Sequence, residues 1–260
     1  MNNKFHLLSK LSIFFLFIII SFSSLLNLYE KKDEIKSKIF NFLNISSKSA
    51  NYKSISEKDK YWAKEIINGG YILHFRHAER DKWIDVEMYD ALESDVHNNG
   101  ENDSRYAEND YFDQAVCLNK RGKIQARAIG EHLNHIKLPI GYVASSPSCR
   151  ARQTAELAFN GYDTLHRILV HAGPYNETKK NRGENLINFY KNLKIDNTKN
   201  TIVSSHNNVI ICEIVINKNC PWDFKLEEGG FFVFSKTDAG LKLEHEFHNF
   251  NDFNKIFYKR

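Results

Sequence analysis

The chain is poor in cysteine: Cys117, Cys149, Cys212 and Cys220 are all it has in 260 residues, and no two form a Cys-x-x-Cys pair. That excludes a zinc ribbon and a thioredoxin-like redox motif. Cys212 and Cys220 lie close enough in sequence to bridge in an oxidising compartment, and free buried thiols fit the spacing equally well. No metal-ligand set stands out among the eleven histidines. His132 with His135, and His245 with His248, are three apart, but neither pair has a third ligand nearby, and solvated helix faces account for such pairs. The sequence therefore implies no metal and no cofactor. There is no internal repeat. A formal charge of +4 is too modest for a nucleic-acid binder.

The long apolar run is at the start. Leu11 to Leu28 carries no charged residue over 18 positions and follows Lys4 and Lys10. That length reaches the lower edge of a membrane-spanning helix and exceeds a usual signal-peptide core. With no Ala-x-Ala site and no lipobox cysteine, residues 1–28 read as a signal anchor, with a cleaved signal peptide as the alternative. Lys4 and Lys10 favour a cytoplasmic amino terminus, whereas Lys31, Lys32, Lys36 and Lys38 pull the other way. The expectation is a membrane-anchored protein with an exported catalytic domain. Residues 29–56, rich in Lys, Ser and Asn, read as a tether.

Residues 57–260 read as one α/β domain. Glu57 to Asn68 and Leu118 to Ile136 have helical periodicity, the second through Ile124, Ala128, Ile129, Leu133 and Ile136. Strands are expected near 71–75, 142–145, 165–170 and 201–204. Further helices are expected from Pro147 to Phe159, Gly183 to Leu193 and Asn207 to Ile216. Gly229–Ser235 and Leu241–Phe247 read as an antiparallel edge pair. The phenylalanines at 231, 232, 234, 247 and 250 read as core there, not as membrane contacts. Alternating strands and helices imply a three-layer α/β/α fold with a largely parallel sheet. Between the first strand and the long helix lies an acidic insert, 81–117. Its first 33 positions hold eleven acids and two bases. Its charge would repel a long polyanion; it reads as a solvated loop, or as a cap over the pocket that screens substrates or binds a cation.

In such sheets ligands sit beyond the carboxyl ends of the strands. Arg76, His77, Arg150 and His206 all fall there. A neutral His77 can attack phosphorus if the charge on the phosphoryl oxygens is held. Arg76 and Arg150 can grip those oxygens bidentately, and His206 can donate to them. Amides at the start of the 207–216 helix and near Pro147 and Ser148 would add to the grip. A proton donor is still required. Glu177 is the first candidate, with Glu184 its competitor; Glu184 otherwise reads as a first-turn acid that stabilises its helix.

These segments resemble the histidine phosphatase superfamily, the phosphoglycerate-mutase-like proteins of branch 1, over residues 70–236. The family's Arg-His-Gly signature stands as Arg76-His77-Ala78, its Leu-x-x-x-Gly-x-x-Gln-Ala helix as Leu118 to Ala126, its second-arginine motif as Ser145 to Ala155, and its second histidine as His206. The resemblance implies a phosphoglycerate-mutase-like fold, phosphorylation of His77, a phosphate pocket of Arg76, Arg150 and His206, Glu177 as the acid, and no metal. Ala78 replaces a glycine, and Asn207 stands where the acid-phosphatase and phytase branch has an aspartate. Phe75 to Arg80, Cys117-Leu118, Ser205-His206-Asn207 and the membrane-directed start also resemble the bacterial lipopolysaccharide core heptose-phosphate phosphatase group, which is extracytoplasmic; that implies a periplasmic or otherwise extracytoplasmic catalytic domain. The expected function is hydrolysis of a small phosphate monoester through a phosphohistidine. The alternatives are a non-catalytic phospho-ligand-binding pseudo-phosphatase and a mutase-type phosphotransferase.

Overall fold

The computed structural model describes residues 55–81, 116–170, 179–210, 214–216, 226–238 and 240–258. Residues 1–54, most of the acidic insert and the segment 171–178 with Glu177 lie outside them, as do Cys212 and Cys220. Among the described residues no helix is long and apolar enough to cross a membrane.

Helix α1, Glu57–Glu65, begins at a reciprocal cap. The Ser56 hydroxyl accepts from Asp59 N–H, and the Asp59 carboxylate accepts from Ser56 N–H. A 3-10 turn, Ile66–Asn68, follows, and the chain reverses through Gly69 and Gly70 at φ of +82° and +88°. Strand β1, Ile72–Arg76, then runs into the sheet. Helix α2, Lys120–His135, is capped by Asn119, whose side-chain oxygen accepts from Gly122 N–H. Strand β2, Ile140–Ser145, leads to helix α3, Cys149–Phe159. Strand β3 is Thr164–Leu165, helix α4 is Lys179–Asn192, and strand β4 is Asn200–Ser205. Strands β5, Phe231–Thr237, and β6, Gly240–Phe247, precede helix α5, Phe250–Phe257.

The strand order is β3-β2-β4-β1-β5-β6. The first four are parallel, and β5 and β6 add an antiparallel margin. The expected mixed α/β fold is thus observed. Alternation along β1 divides the core. Leu73 and Phe75 point to one face, where they meet Ala63 of α1, Ile129 and Leu133 of α2, Phe159 of α3 and Phe253 of α5. Ile72 faces the other way, onto Leu186 and Tyr190 of α4. Burying each large apolar side chain contributes about 1.5–3 kcal/mol. Phe75 and Phe231 add a stacked ring pair with centroids 4.5 Å apart.

Several expectations need correction. Ile124 is 66% exposed, and Ala128 is exposed too. The buried stripe of α2 runs instead through Gly122, Ala126, Ile129, Gly130 and Leu133, where two glycines let neighbouring backbone approach. Helix α3 starts two residues after Pro147. The 165–170 segment is a two-residue strand followed by a 3-10 turn at Arg167–Leu169. Asn207 begins only a 3-10 turn to Val209, after which Ile210 is extended and Val215 bridges Leu241. The β-branched Ile210 and Val215 suit extended backbone better than a helix. Helix α5 was not expected, although Asn249 caps it and Phe250, Phe253 and Phe257 recur at helical steps.

Gly122 sits against the carbonyl oxygen of Glu79, and an added Cβ would overlap that backbone atom. Gly122→Ala should therefore cost about 1–3 kcal/mol of stability, read as a lower urea midpoint, whereas an alanine at exposed Glu131 would leave it nearly unchanged.

Candidate active site

The sheet register assembles the site. Phe75 is level with Ser204 across β1 and β4, and Ser145 is level with Ser204 across β2 and β4. The ladder continues one step past each strand: His77 N–H donates to Ser205 O at 2.9 Å, and Ser146 N–H donates to Ser204 O at 2.9 Å. His77, His206 and Ser146 therefore emerge side by side at the carboxyl ends of three parallel strands. The two histidine rings lie edge to face with centroids 5.3 Å apart.

His77 is 4% exposed. Its Nδ1 lies 2.7 Å from its neighbour's carbonyl, Ala78 O. A carbonyl can only accept, so Nδ1 carries the proton and Nε2 keeps its lone pair. Burial, then the charges of Arg150, Arg76 and Arg80, hold the imidazole well below its ordinary pKa. The ring is neutral at physiological pH, as a nucleophile must be.

Arg150 enters from the first turn of α3 and is 1% exposed. Its Nη2 is 3.3 Å from His206 Nδ1, and its Nη1 donates to Ser148 Oγ at 3.0 Å and Val116 O at 3.4 Å. Because the guanidinium only donates, His206 Nδ1 accepts, and the His206 proton sits on Nε2, 3.2 Å from Ser146 Oγ. Thr154 locks α3 to the nucleophile's segment: its hydroxyl donates to Arg150 O at 2.7 Å and accepts from Ala78 N–H at 2.9 Å.

Arg76 is fixed from the opposite side. Its Nη1 donates to Leu226 O at 2.5 Å, and its Nη2 lies 3.4 Å from the Glu228 carboxylate. Asn207 holds the same Leu226 backbone twice, donating to its carbonyl at 3.0 Å and accepting from its N–H at 2.9 Å. A carboxylate could make only the second bond, which accounts for an amide at this position. Gln125, from the Gly-x-x-Gln-Ala segment, accepts from Glu79 N–H at 2.9 Å and donates to Glu228 O at 2.8 Å.

The structure thus brings Arg76, His77, Arg150 and His206 together. Glu177 lies outside the described residues. Glu184 is exposed and sits beyond the first turn of α4, so the first-turn role does not hold. Among the described residues a three-residue 3-10 turn, Asn207–Val209, follows His206 in place of the helix expected over 207–216. Of the histidines weighed as metal ligands, His132 is buried against Phe250 and Phe253, contrary to a solvated face, and His245 pairs with Asp59 at 2.8 Å. No metal-binding cluster occurs among the described residues.

Sequence reasoning missed the supports: Ser146, Thr154, Glu228 and, above all, His74. Fully buried inside an apolar run, His74 has Nε2 3.1 Å from the backbone carbonyl of His206 and Nδ1 2.8 Å from the Tyr190 hydroxyl. Nε2–H must donate to the carbonyl, and the tyrosine then donates to Nδ1. The two-residue alternation of β1 put His74 on the core face, a signal that it would be buried and bonded.

A family model now bears on this geometry. Residues 100–171 match the histidine phosphatase superfamily (branch 1). The matched stretch includes the Leu118–Ala126 pattern and Arg150, and it bears out the superfamily resemblance read from the motifs. Solved structures of similar proteins include the protein histidine phosphatase SixA complexed with tungstate, at 14% identity over 68% of this chain and 96% of that one, TM-score 0.43. The alpha-ribazole phosphatase from Shigella flexneri is 16% identical over 69% of this chain and 96% of that one, TM-score 0.43. TTHB049 from Thermus thermophilus is 17% identical over 68% of this chain and 98% of that one, TM-score 0.40. No curated protein matches the chain.

Burial lowers the His74 pKa to about 4. The unfolded chain, with a value near 6.5, takes up its proton first as pH falls. The stability this histidine permits is whole above about pH 6.5 and is lost as pH falls toward 4, by about 2 kcal/mol at pH 5; His77 acts in the same direction. Urea midpoints should fall from pH 7 to pH 5, and His74→Gln should reduce that fall. An equal fall in the variant would contradict the assignment.

Proposed function

We propose that this chain is a phosphomonoesterase of the histidine phosphatase type, with His77 as its nucleophile. The observation that carries the reading is the 2.7 Å approach of His77 Nδ1 to Ala78 O, which leaves Nε2 its lone pair, beside buried Arg150, half-buried Arg76 and His206. Nε2 attacks phosphorus, the P–N bond forms, and the ester P–O bond breaks. Arg76, Arg150 and His206 hold the phosphoryl oxygens as charge develops on them. Glu177 is assigned the proton for the leaving oxygen and, in reverse, the activation of the water that cleaves P–N and restores His77. The reaction needs no metal, because guanidinium groups supply the charge. The substrate is a small phosphate monoester.

The protein is further proposed to act outside the cytoplasm, tethered through residues 11–28. Two features support this: the uncharged apolar run and a disulfide between Cys117 and Cys149, a bond that persists in oxidising compartments. Cys212 and Cys220, weighed as a bridge from spacing, lie outside the described residues.

Phosphate release from an aryl phosphate, with chelator present throughout, tests the chemistry. The wild type should turn over. His77→Ala should lose at least about a thousandfold in kcat/KM. Arg150→Lys should lose about tenfold to a hundredfold, because one ammonium cannot replace a bidentate fork. A wild type that folds yet releases no phosphate, or a His77→Ala variant that keeps its rate, would refute the proposal.

A further inference from the structure

The disulfide lies within the phosphate grip. Cys149 is the first residue of α3, directly between Ser148 and Arg150, and Cys117 directly follows Val116. Ser148 Oγ and Val116 O are both acceptors of Arg150 Nη1. The sulfur bridge thus joins the chain neighbours of the guanidinium and of its acceptors. All are buried: Cys117 is 1% exposed, and Val116 and Cys149 are 0%. A further tie between the two segments is the bond from Leu118 N–H to Gln153 Oε1 at 2.9 Å, which lies farther along α3 from Arg150.

We propose that the Cys117–Cys149 disulfide is a positioning device for Arg150, so that the affinity of this site for phosphate depends on the oxidation state of the pair. The inference rests on the phosphate-binding reading above. Reduction by a dithiol breaks the S–S bond; two electrons and two protons pass to the cysteines, and the reductant leaves as its own disulfide. Two unbonded sulfurs cannot remain at the bonded distance of about 2 Å. The segment that carries Val116 is then no longer tied covalently to the start of α3, and its contact with Arg150, at 3.4 Å, is already at the limit of a hydrogen bond. Arg150 loses a restraint, while the ladder from β1 and β4 that places His77 and His206 is untouched. The loss should therefore fall on phosphate binding, hence on KM, more than on the general integrity of the fold.

The test uses orthovanadate as a phosphate mimic, with calorimetry on the full chain in its oxidised form, after dithiothreitol, and as the Cys117→Ala, Cys149→Ala double variant. Oxidised protein should bind vanadate. The reduced and double-variant forms should bind about tenfold more weakly, the loss of one charge-assisted hydrogen bond, and should show a raised KM for an aryl phosphate with kcat reduced less. Equal affinity in all three forms overturns the inference and leaves the pair a staple. Absence of vanadate binding by the oxidised protein would instead defeat the phosphatase reading itself. Should the double variant not fold, the wild type alone decides. By linkage, saturating inorganic phosphate should shift the equilibrium of the bond with dithiothreitol severalfold toward the disulfide, and an equilibrium unaffected by phosphate rejects the proposal.

Discussion

The parallel register of β1, β4 and β2 is the constraint on which the site depends. A shift of one residue between β1 and β4 would separate His77 from His206 and turn Leu73 and Phe75 out of their cluster. The apolar alternation that fixes the core thereby fixes the chemistry. His74 strengthens that coupling, since it lies on β1 and donates to the backbone of His206 at the end of β4. Tyr190 extends the chain of hydrogen bonds into α4.

Around this frame, positive charge is brought into a nearly dry space. Arg150 is buried among neutral donors and acceptors, and Arg76 is held by a carbonyl and a carboxylate at the rim. Buried charge is costly unless hydrogen-bonded, and here the bonding partners also set direction. Burial, together with the same charges, keeps His77 neutral. One arrangement therefore provides both the anion grip and the free lone pair, which is why a metal is not required to explain the proposed reaction.

Much of this was legible in the sequence. Arg76 and His77 close an apolar run, Arg150 follows a Ser-Pro turn, and His206 follows a second buried strand; the three strand ends meet as the α/β pattern requires. What was not legible depends on partners distant in sequence. Cys117 and Cys149 are 32 apart and meet only because α2 packs beside α3. Asn207 looked like a lost acid and proves to be a backbone clamp on Leu226. Ile124 matched a helical stripe, but the true face was set by small residues that let backbone approach. The helix expected from Asn207 ends as a 3-10 turn at Val209, because periodicity alone cannot separate a short apolar helix from a turn that leads into β-branched strand-like residues.

The most direct measurement is to quench the protein during turnover of an aryl phosphate and map the covalent phosphate by mass spectrometry. The account predicts an acid-labile, alkali-stable phosphoryl group on His77, absent from His77→Ala. Phosphate on another residue, or turnover with no covalent phosphoryl-enzyme under conditions that trap it, would contradict the central claim.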